Sequence, residues 1–413
     1  MASVNPTKWN VMKNWFRNFT ACAILFFGSI VALKAQSGYD GMYLIDARAH
    51  KKNLELFRSK NKGFLEKLNR LKIEAEKILS KETYSVTFHK TSTQSTSDVH
   101  DFYSKSPYYF VDQAGKAFMK DGARNPKIKE DKDKEQLVKL LDDLKVLSIA
   151  YFYTKDERFA ERARLLMDTW FINVKTKMNP NMNFAQIKPN SNQGTFSGII
   201  ESRQLVCLPD VLFLLQDSKK VDANFVSSMR IWFKSYLYWL ETSKLGRIAS
   251  VQKNNQINYY NLQVYVFKLF TGTNMQEVRS MISNSTLDNI KHQINEKGEQ
   301  TIELKRATPI GYSLFNLKAL SLIALFSENI GGPDLWNYEQ NGSGIKSALI
   351  WLDKQYVNQK INKKTNPKFE NILPGHLWGL YTLAQKRISN LSLSYKQINN
   401  QSVGISSAYF EFN

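Results

Sequence analysis

From residue 64 to residue 388 the apolar residues of this chain recur at spacings of three and four, and that pattern excludes most folds. Phe64–Lys81 shows it directly: Leu65, Leu68, Leu71, Ala75 and Ile78 fall on one face of a helix. Glu135–Thr154 and Asp156–Phe171 form a helical pair, with Asp156 placed to cap the second member. Further pairs are predicted at about 203–217 with 221–243, 256–272 with 275–294, and 311–329 with 343–358, and a last helix near 375–388. Short polar connections make consecutive helices antiparallel neighbours. No sequence repeat is visible, which disfavours solenoids of strict period. Helical hairpins in series without repetition suit an all-α α/α toroid, an incomplete barrel whose inner helices ring a cleft. Spacing by itself leaves other helical arrays open.

The ends and the charge narrow the setting. Lys8, Lys13 and Arg17 precede a mostly apolar run, Phe19–Leu33, followed by Lys34-Ala35-Gln36. Residues 1–35 therefore read as a signal peptide cleaved after Ala35, since the run is short for a membrane span. Residues 36–413 are then expected to form a single domain, periplasmic or secreted, with no stable membrane insertion after cleavage. The 413-residue chain carries a net charge of +20, and only four of those charges leave with the leader. Such a field favours polyanionic partners, although a solvated lysine-rich surface explains the number equally well. Nucleic acid is disfavoured by export and by the lack of a recognised binding motif. Cys22 lies in the leader, so Cys207 would be the one thiol of the mature chain and no internal disulfide can form. His50, His89, His100, His292 and His376 show no metal-ligand spacing, so neither a metal nor another cofactor is expected. The oligomeric state is not legible.

Two connections are too long and too aromatic to be plain linkers. Met178–Gly194 is a polar stretch between helices, and Gln94–Gly115 contains His100-Asp101-Phe102 and Ser106-Pro107-Tyr108-Tyr109-Phe110. Loops of this length tend to be functional, and both are candidate cleft walls.

Chemistry-bearing residues concentrate in two places. Lys253-Asn254-Asn255-Gln256-Ile257-Asn258-Tyr259-Tyr260 opens one apolar helix, and Glu303-Leu304-Lys305-Arg306 with Tyr312 opens another. Taken singly, an Asn-Asn pair is a helix cap and Arg306 a surface cation. Taken in order, with Phe315-Asn316-Leu317, they resemble the alginate-lyase superfamily of polysaccharide lyases. Other blocks agree: Asn179-Pro180-Asn181 through Ala185-Gln186, Gly198-Ile199-Ile200-Glu201-Ser202-Arg203, and His100-Asp101-Phe102-Tyr103-Ser104 through Pro107-Tyr108-Tyr109. Glu201 and Ser202 are conservative departures from the family pattern. The matches run from about residue 100 to residue 317.

The resemblance implies β-elimination on an acidic, 4-linked polyuronate. The proton on C5 must leave, the departing O4 must gain one, and the carboxylate must first be neutralised by preorganised donors. Carried over, Asn255 and Arg306 are the neutralisers and Tyr312 is the base and acid. Gln256 stands where the family usually has a histidine. Gln256 can donate a hydrogen bond but cannot abstract a proton. The resemblance further implies substrate contacts from Asn254, Tyr259, Tyr260, Gln186, Arg203, Tyr108 and His100, against the plainer reading that these are core or capping residues. A free phenol has a pKa of about 10, so phenolate at pH 7 costs roughly 4 kcal/mol. A guanidinium close by is expected to reduce that cost. One tyrosine can serve C5 and O4 only where they lie on the same side. That favours mannuronan (as in alginate), then glucuronan, over guluronan. The rival expectation is a non-catalytic acidic-polysaccharide-binding protein that has lost its chemistry with the histidine.

Overall fold

The computed structural model describes residues 41–90, 96, 98–361 and 374–393. The leader expected at residues 1–35 lies outside them. From Gly41 onward the chain clusters as one compact unit.

The helices follow the predicted pattern with shifted ends: α1 (Ala47–Arg58), α2 (Lys62–Ile78), α3 (Lys132–Thr154), α4 (Glu157–Met167), α5 (Leu208–Leu214), α6 (Ala223–Thr242), α7 (Lys244–Ala249) and α8 (Asn255–Phe270). After them come α9 (Met275–Met281), α10 (Leu287–Gln293), α11 (Pro309–Asn329), α12 (Ile345–Ile361) and α13 (Pro374–Gln385). Caps explain several starts. Asp156 accepts from the Arg158 N–H at 3.1 Å to open α4, and Asp222 from the Phe225 N–H at 2.8 Å to open α6. On α2 the buried stripe is Phe64, Leu68, Leu71, Ala75 and Ile78, and Leu65 turns outward.

Three predicted helices are interrupted. The segment expected at 203–217 is a 3₁₀ run, Phe196–Cys207, leading into α5. Ser202 Oγ donates to the Ile199 carbonyl at 2.8 Å, a local bond that competes with regular helix. Pro209, which lacks an N–H, fits only the first turn of α5. The pair member expected at 156–171 ends in a π turn, Asp168–Ile172, where Thr169 Oγ1 bonds back to the Leu165 carbonyl at 2.8 Å. A second π turn, Ile282–Thr286, divides α9 from α10.

Helices α8 and α11 form the centre. Nearly every side chain of α8 is buried, as befits a helix enclosed on all sides. By length and composition α11 could cross a membrane, yet 72% of its apolar window is buried within the protein. A chain of side-chain amides ties the two together. Asn258 Nδ2 donates to Gln293 Oε1 and to Asn316 Oδ1, each at 2.7 Å. Asn316 Nδ2 donates to Gln293 Oε1 at 2.9 Å and to Gln300 Oε1 at 2.8 Å. These groups are buried and bonded to one another, with Gln293 Nε2 alone among them lacking a partner among the described residues, so the helices have one register.

The two long connections meet over one end of this centre. Strand β1 (Tyr103–Lys105) pairs in parallel with β4 (Phe184–Ile187), joining the connections at residues expected to be cleft walls. Gly198 sits so close beneath β4 that a Cβ there would lie 2.6 Å from the Ala185 carbonyl oxygen. Strands β2 (Tyr109–Val111) and β3 (Ala117–Met119) form an antiparallel hairpin with Phe110 opposite Phe118. A small hairpin of β5 (Glu339–Gln340) and β6 (Ser343–Gly344) lies further along the chain.

Candidate active site

A cleft of about 700 Å³ opens at the N-terminal ends of α8 and α11. Asn254, Asn255, Gln256, Arg306 and Tyr312 all line it, and Gln186, Arg203 and Tyr108 complete it from the connections and the 3₁₀ run. The two clusters separated by fifty residues in sequence therefore share one surface. Six cations line the cleft (Arg124, Lys134, Lys188, Arg203, Lys244 and Arg306), and no Asp or Glu is among the described lining residues. Lys134 and Arg306 are ion-paired with Glu201 and Asp121 behind the lining, and the surface that a polyanion would meet stays cationic.

The backbone explains the placement. Asn254 is extended (φ −128°, ψ −162°) and its side chain accepts from the Gln256 N–H at 3.2 Å, the capping role expected of an Asn-Asn pair. Asn255 opens α8 and is buried. Its backbone N–H and its Nδ2 donate to the same oxygen, Glu303 Oε1, at 2.7 and 2.8 Å. That carboxylate meets the positive end of the helix dipole. Burial nevertheless pushes the Glu303 carboxyl above its ordinary range, against the opposing pull of the Asn255 bonds and the Arg306 charge. Its second oxygen, Oε2, has no hydrogen-bond partner among the described residues, and neither does Gln256 Oε1.

Arg306 ends a short 3₁₀ turn, Glu303–Lys305, and Pro309 starts α11 three residues later. The reversal lays the Arg306 guanidinium 3.7 Å from the centroid of the Tyr312 ring. A third residue joins them. Asp121 accepts from Arg306 Nε at 2.9 Å, from Arg306 Nη2 at 2.8 Å, from the Ala307 N–H at 3.0 Å and from the Tyr312 hydroxyl at 3.2 Å. The Arg306 bonds are the chief reason the Asp121 carboxyl falls to about 2.

Arg306 favours the phenolate, as expected, but the other neighbours outweigh it. Burial raises the phenol first, the Tyr108 hydrogen bond and charge and the Asp121 charge raise it further, and the Arg306 charge only partly opposes them. The Asp121 carboxylate that grips the guanidinium also faces the hydroxyl, and its charge offsets part of the help that Arg306 gives the phenolate.

Three of the expected contacts are placed elsewhere. Tyr259 is buried behind the cleft surface, donating to the Phe315 carbonyl at 3.0 Å, with the Arg203 guanidinium 5.8 Å from its ring centroid. Tyr260 is buried against α6, its hydroxyl 3.3 Å from the Leu240 carbonyl, and burial pushes its phenol up to about 12. A ring on α8 points where the helix is enclosed, so both tyrosines serve packing. His100 Nδ1 lies 2.6 Å from the Lys177 carbonyl and is not on the cleft surface; it joins the two connections. Gln186 reaches the cleft from a left-handed residue (φ +52°) held by its N–H to Ser104 Oγ at 2.9 Å. Glu201 is buried with Ser104, Lys134 and Gln186 as hydrogen-bonding neighbours, a scaffold for that wall.

Asp121 and the buried Glu303 contact the candidate residues and were not singled out from the sequence. Glu303 stands in the Glu303–Arg306 run with no sequence sign of its contact with Asn255. Asp121 was signalled only by Asp121-Gly122, an ordinary turn dipeptide.

The family model described as alginate lyase matches residues 85–361, about two thirds of the chain. A crystal structure of an alginate lyase from Bacteroides ovatus aligns with a TM-score of 0.73 at 23% identity, covering 85% of this chain and 96% of that one. Alginate lyase A1-III from Sphingomonas species A1 aligns with a TM-score of 0.50 at 15% identity, covering 79% of this chain and 90% of that one. No curated protein matches significantly. The architecture is the all-α toroid that the helical hairpins suggested. With the family model spanning most of the described helices and both clusters of the cleft, the chain belongs to the alginate lyase family of polysaccharide lyases.

Proposed function

We propose that this protein, exported after removal of residues 1–35, cleaves 4-linked polyuronates by β-elimination, polymannuronate first and glucuronan second. Arg306 and Asn255 neutralise the uronate carboxylate. Tyr312 takes the C5 proton and returns a proton to O4 as the C4–O4 bond breaks and the C4–C5 double bond forms. The observation that carries this reading is the convergence of Arg306, Tyr312 and the Asn254–Gln256 corner on one cation-lined cleft. Family membership supports the reaction class. Gln256 lines the same cleft, with its side-chain carbonyl oxygen buried.

The same Gln256 motivates a second reading, a protein that binds acidic polysaccharide without cutting it. Incubation with polymannuronate, glucuronan and polyguluronate, followed by ultraviolet absorbance of the conjugated product, separates the two. The expected order of rates is mannuronan, glucuronan, guluronan. Tyr312→Phe should lower the best rate by at least about 10²-fold, the usual contribution of an acid–base group. Faster cleavage of polyguluronate would remove the single-tyrosine mechanism, and binding without absorbance would establish the second reading.

A further inference from the structure

Asp121 reaches Arg306 and Tyr312 from outside both site-bearing clusters, and the local structure is built to bring it there. The β2–β3 hairpin delivers it: Asp112 Oδ1 caps the hairpin turn through the Ala114 and Lys116 N–H groups at 3.0 and 2.8 Å. The strand exit is fixed where the Lys120 N–H meets the Tyr108 carbonyl at 2.9 Å, and Asn125 Nδ2 meets the Tyr109 carbonyl at 2.7 Å. Gly122 then turns with φ +76°, and a Cβ on it would lie 2.9 Å from the Cβ of Ala307. Only glycine permits both that angle and that approach. Four donors from three residues converge on the Asp121 carboxylate, including both nitrogens of the Arg306 fork. Asp121 is not itself on the cleft surface, whereas Arg306 and Tyr312 are.

We infer that Asp121 is a positioning residue of the elimination site: it clamps the Arg306 guanidinium against the ring of Tyr312 and takes the hydrogen bond of the Tyr312 hydroxyl, presenting the two to substrate as one unit. The inference rests on the role proposed above for Arg306 and Tyr312. Arginine has many rotamers, and a free guanidinium over a half-open cleft would sample most of them; the bidentate carboxylate selects one. The same carboxylate is a charge beside the phenol. The titratable and charged groups facing Tyr312 are Arg306 from the preceding turn, Asp121 from the hairpin exit and Tyr108 from the turn before β2, with Glu303 acting through Arg306. Of these, Asp121 is the anion in direct contact with the hydroxyl.

The test uses the mature protein and its Asp121→Asn variant, which keeps the shape and an acceptor for the Ala307 N–H but loses the charge. Two readouts are taken. In the first, kcat and KM on polymannuronate are measured against pH. Asp121→Asn should lower kcat by about 10²-fold, as expected when reacting groups lose alignment, with KM changed less than kcat. The acid limb of its kcat/KM profile should move to lower pH, because Arg306 is no longer offset. In the second, Tyr312 ionisation is followed without substrate, as the alkaline ultraviolet difference between each protein and its Tyr312→Phe counterpart. Its midpoint should fall by about one pH unit in Asp121→Asn.

If Asp121→Asn does not fold, Gly122→Ala provides the same displacement with the carboxylate retained. It should reproduce the loss of kcat. Limbs and midpoints that superimpose on the unsubstituted protein would reduce Asp121 to a structural tie and overturn the inference. A rise in activity with tighter binding of short oligouronates would also overturn it, by making Asp121 a competitor of the substrate carboxylate. Should the unsubstituted protein cut no polyuronate while the ionisation midpoint shifts as stated, the proposed function fails and the clamp stands.

Discussion

Tyr312 is half-buried, its hydroxyl bonded to a carboxylate and its ring against a guanidinium, and its pH dependence follows from those neighbours. Its pKa lies above the ordinary phenol value, with burial the leading cause. Phenolate is therefore scarce at neutral pH and grows as pH rises. Cleavage should accordingly climb through pH 8 and 9 with no plateau near 7, measured as kcat/KM across a buffer series at constant ionic strength. A plateau below pH 8 would point to a different base. Gln256 occupies the remaining corner, its buried carbonyl oxygen without a partner among the described residues. An imidazole there adds a second proton acceptor. Gln256→His should raise the rate on polyguluronate relative to polymannuronate, read from the product ratio on the separated polymers; an unchanged ratio would sink the idea that this position limits substrate range.

Between elements, the amide chain linking Asn258, Gln293, Asn316 and Gln300 holds α8 and α11 in register, and so fixes the distance from Asn255 to Tyr312. Asn316 takes part in three of its bonds. Replacing it with alanine strands the Gln300 acceptor and one Asn258 N–H in a dry interior, while Gln293 Oε1 still accepts from Asn258. Asn316→Ala should cost about 3 kcal/mol, at one to three kcal/mol per unsatisfied group. The denaturation midpoint reports the loss, provided the slope is unchanged. A cost below about 1 kcal/mol would mean that water or repacking satisfies the stranded groups. Asn254 is a different kind of residue. Its side chain closes the first turn of α8, so its contribution is that of a cap, about 1 kcal/mol.

Across the whole molecule, a net charge of +20 meets a cleft lined by six cations and no described acid. Capture of a polyanion should therefore weaken with salt. KM for polymannuronate is expected to rise several-fold between about 0.05 M and 0.5 M salt, as the screening length falls from over 10 Å to under 5 Å. kcat should change far less, because the groups around Tyr312 are partly buried and less screened. A KM independent of ionic strength would assign the charge to solubility alone.

Much of this was legible before folding. The three-and-four spacing predicted α2, α3, α6, α8 and α11 because an enclosed helix must repeat its apolar contacts at its own period. The ordered blocks led to Asn255, Arg306 and Tyr312 because elimination needs donors and a proton carrier whatever the scaffold. The 3₁₀ run at Phe196–Cys207 was hidden, since Ser202 and Pro209 interrupt a helix only through local geometry. Tyr259 and Tyr260 were misplaced as substrate contacts because a helix enclosed on every side gives no sequence sign of which face meets the cleft. Asp121 illustrates the limit. Sequence fixes what each residue can do, and Asp121-Gly122 reads as nothing more than a turn. Only the folded hairpin brings that carboxylate onto Arg306 and Tyr312, because a contact between residues 185 and 191 positions apart is made by tertiary packing and leaves no periodic trace in the chain.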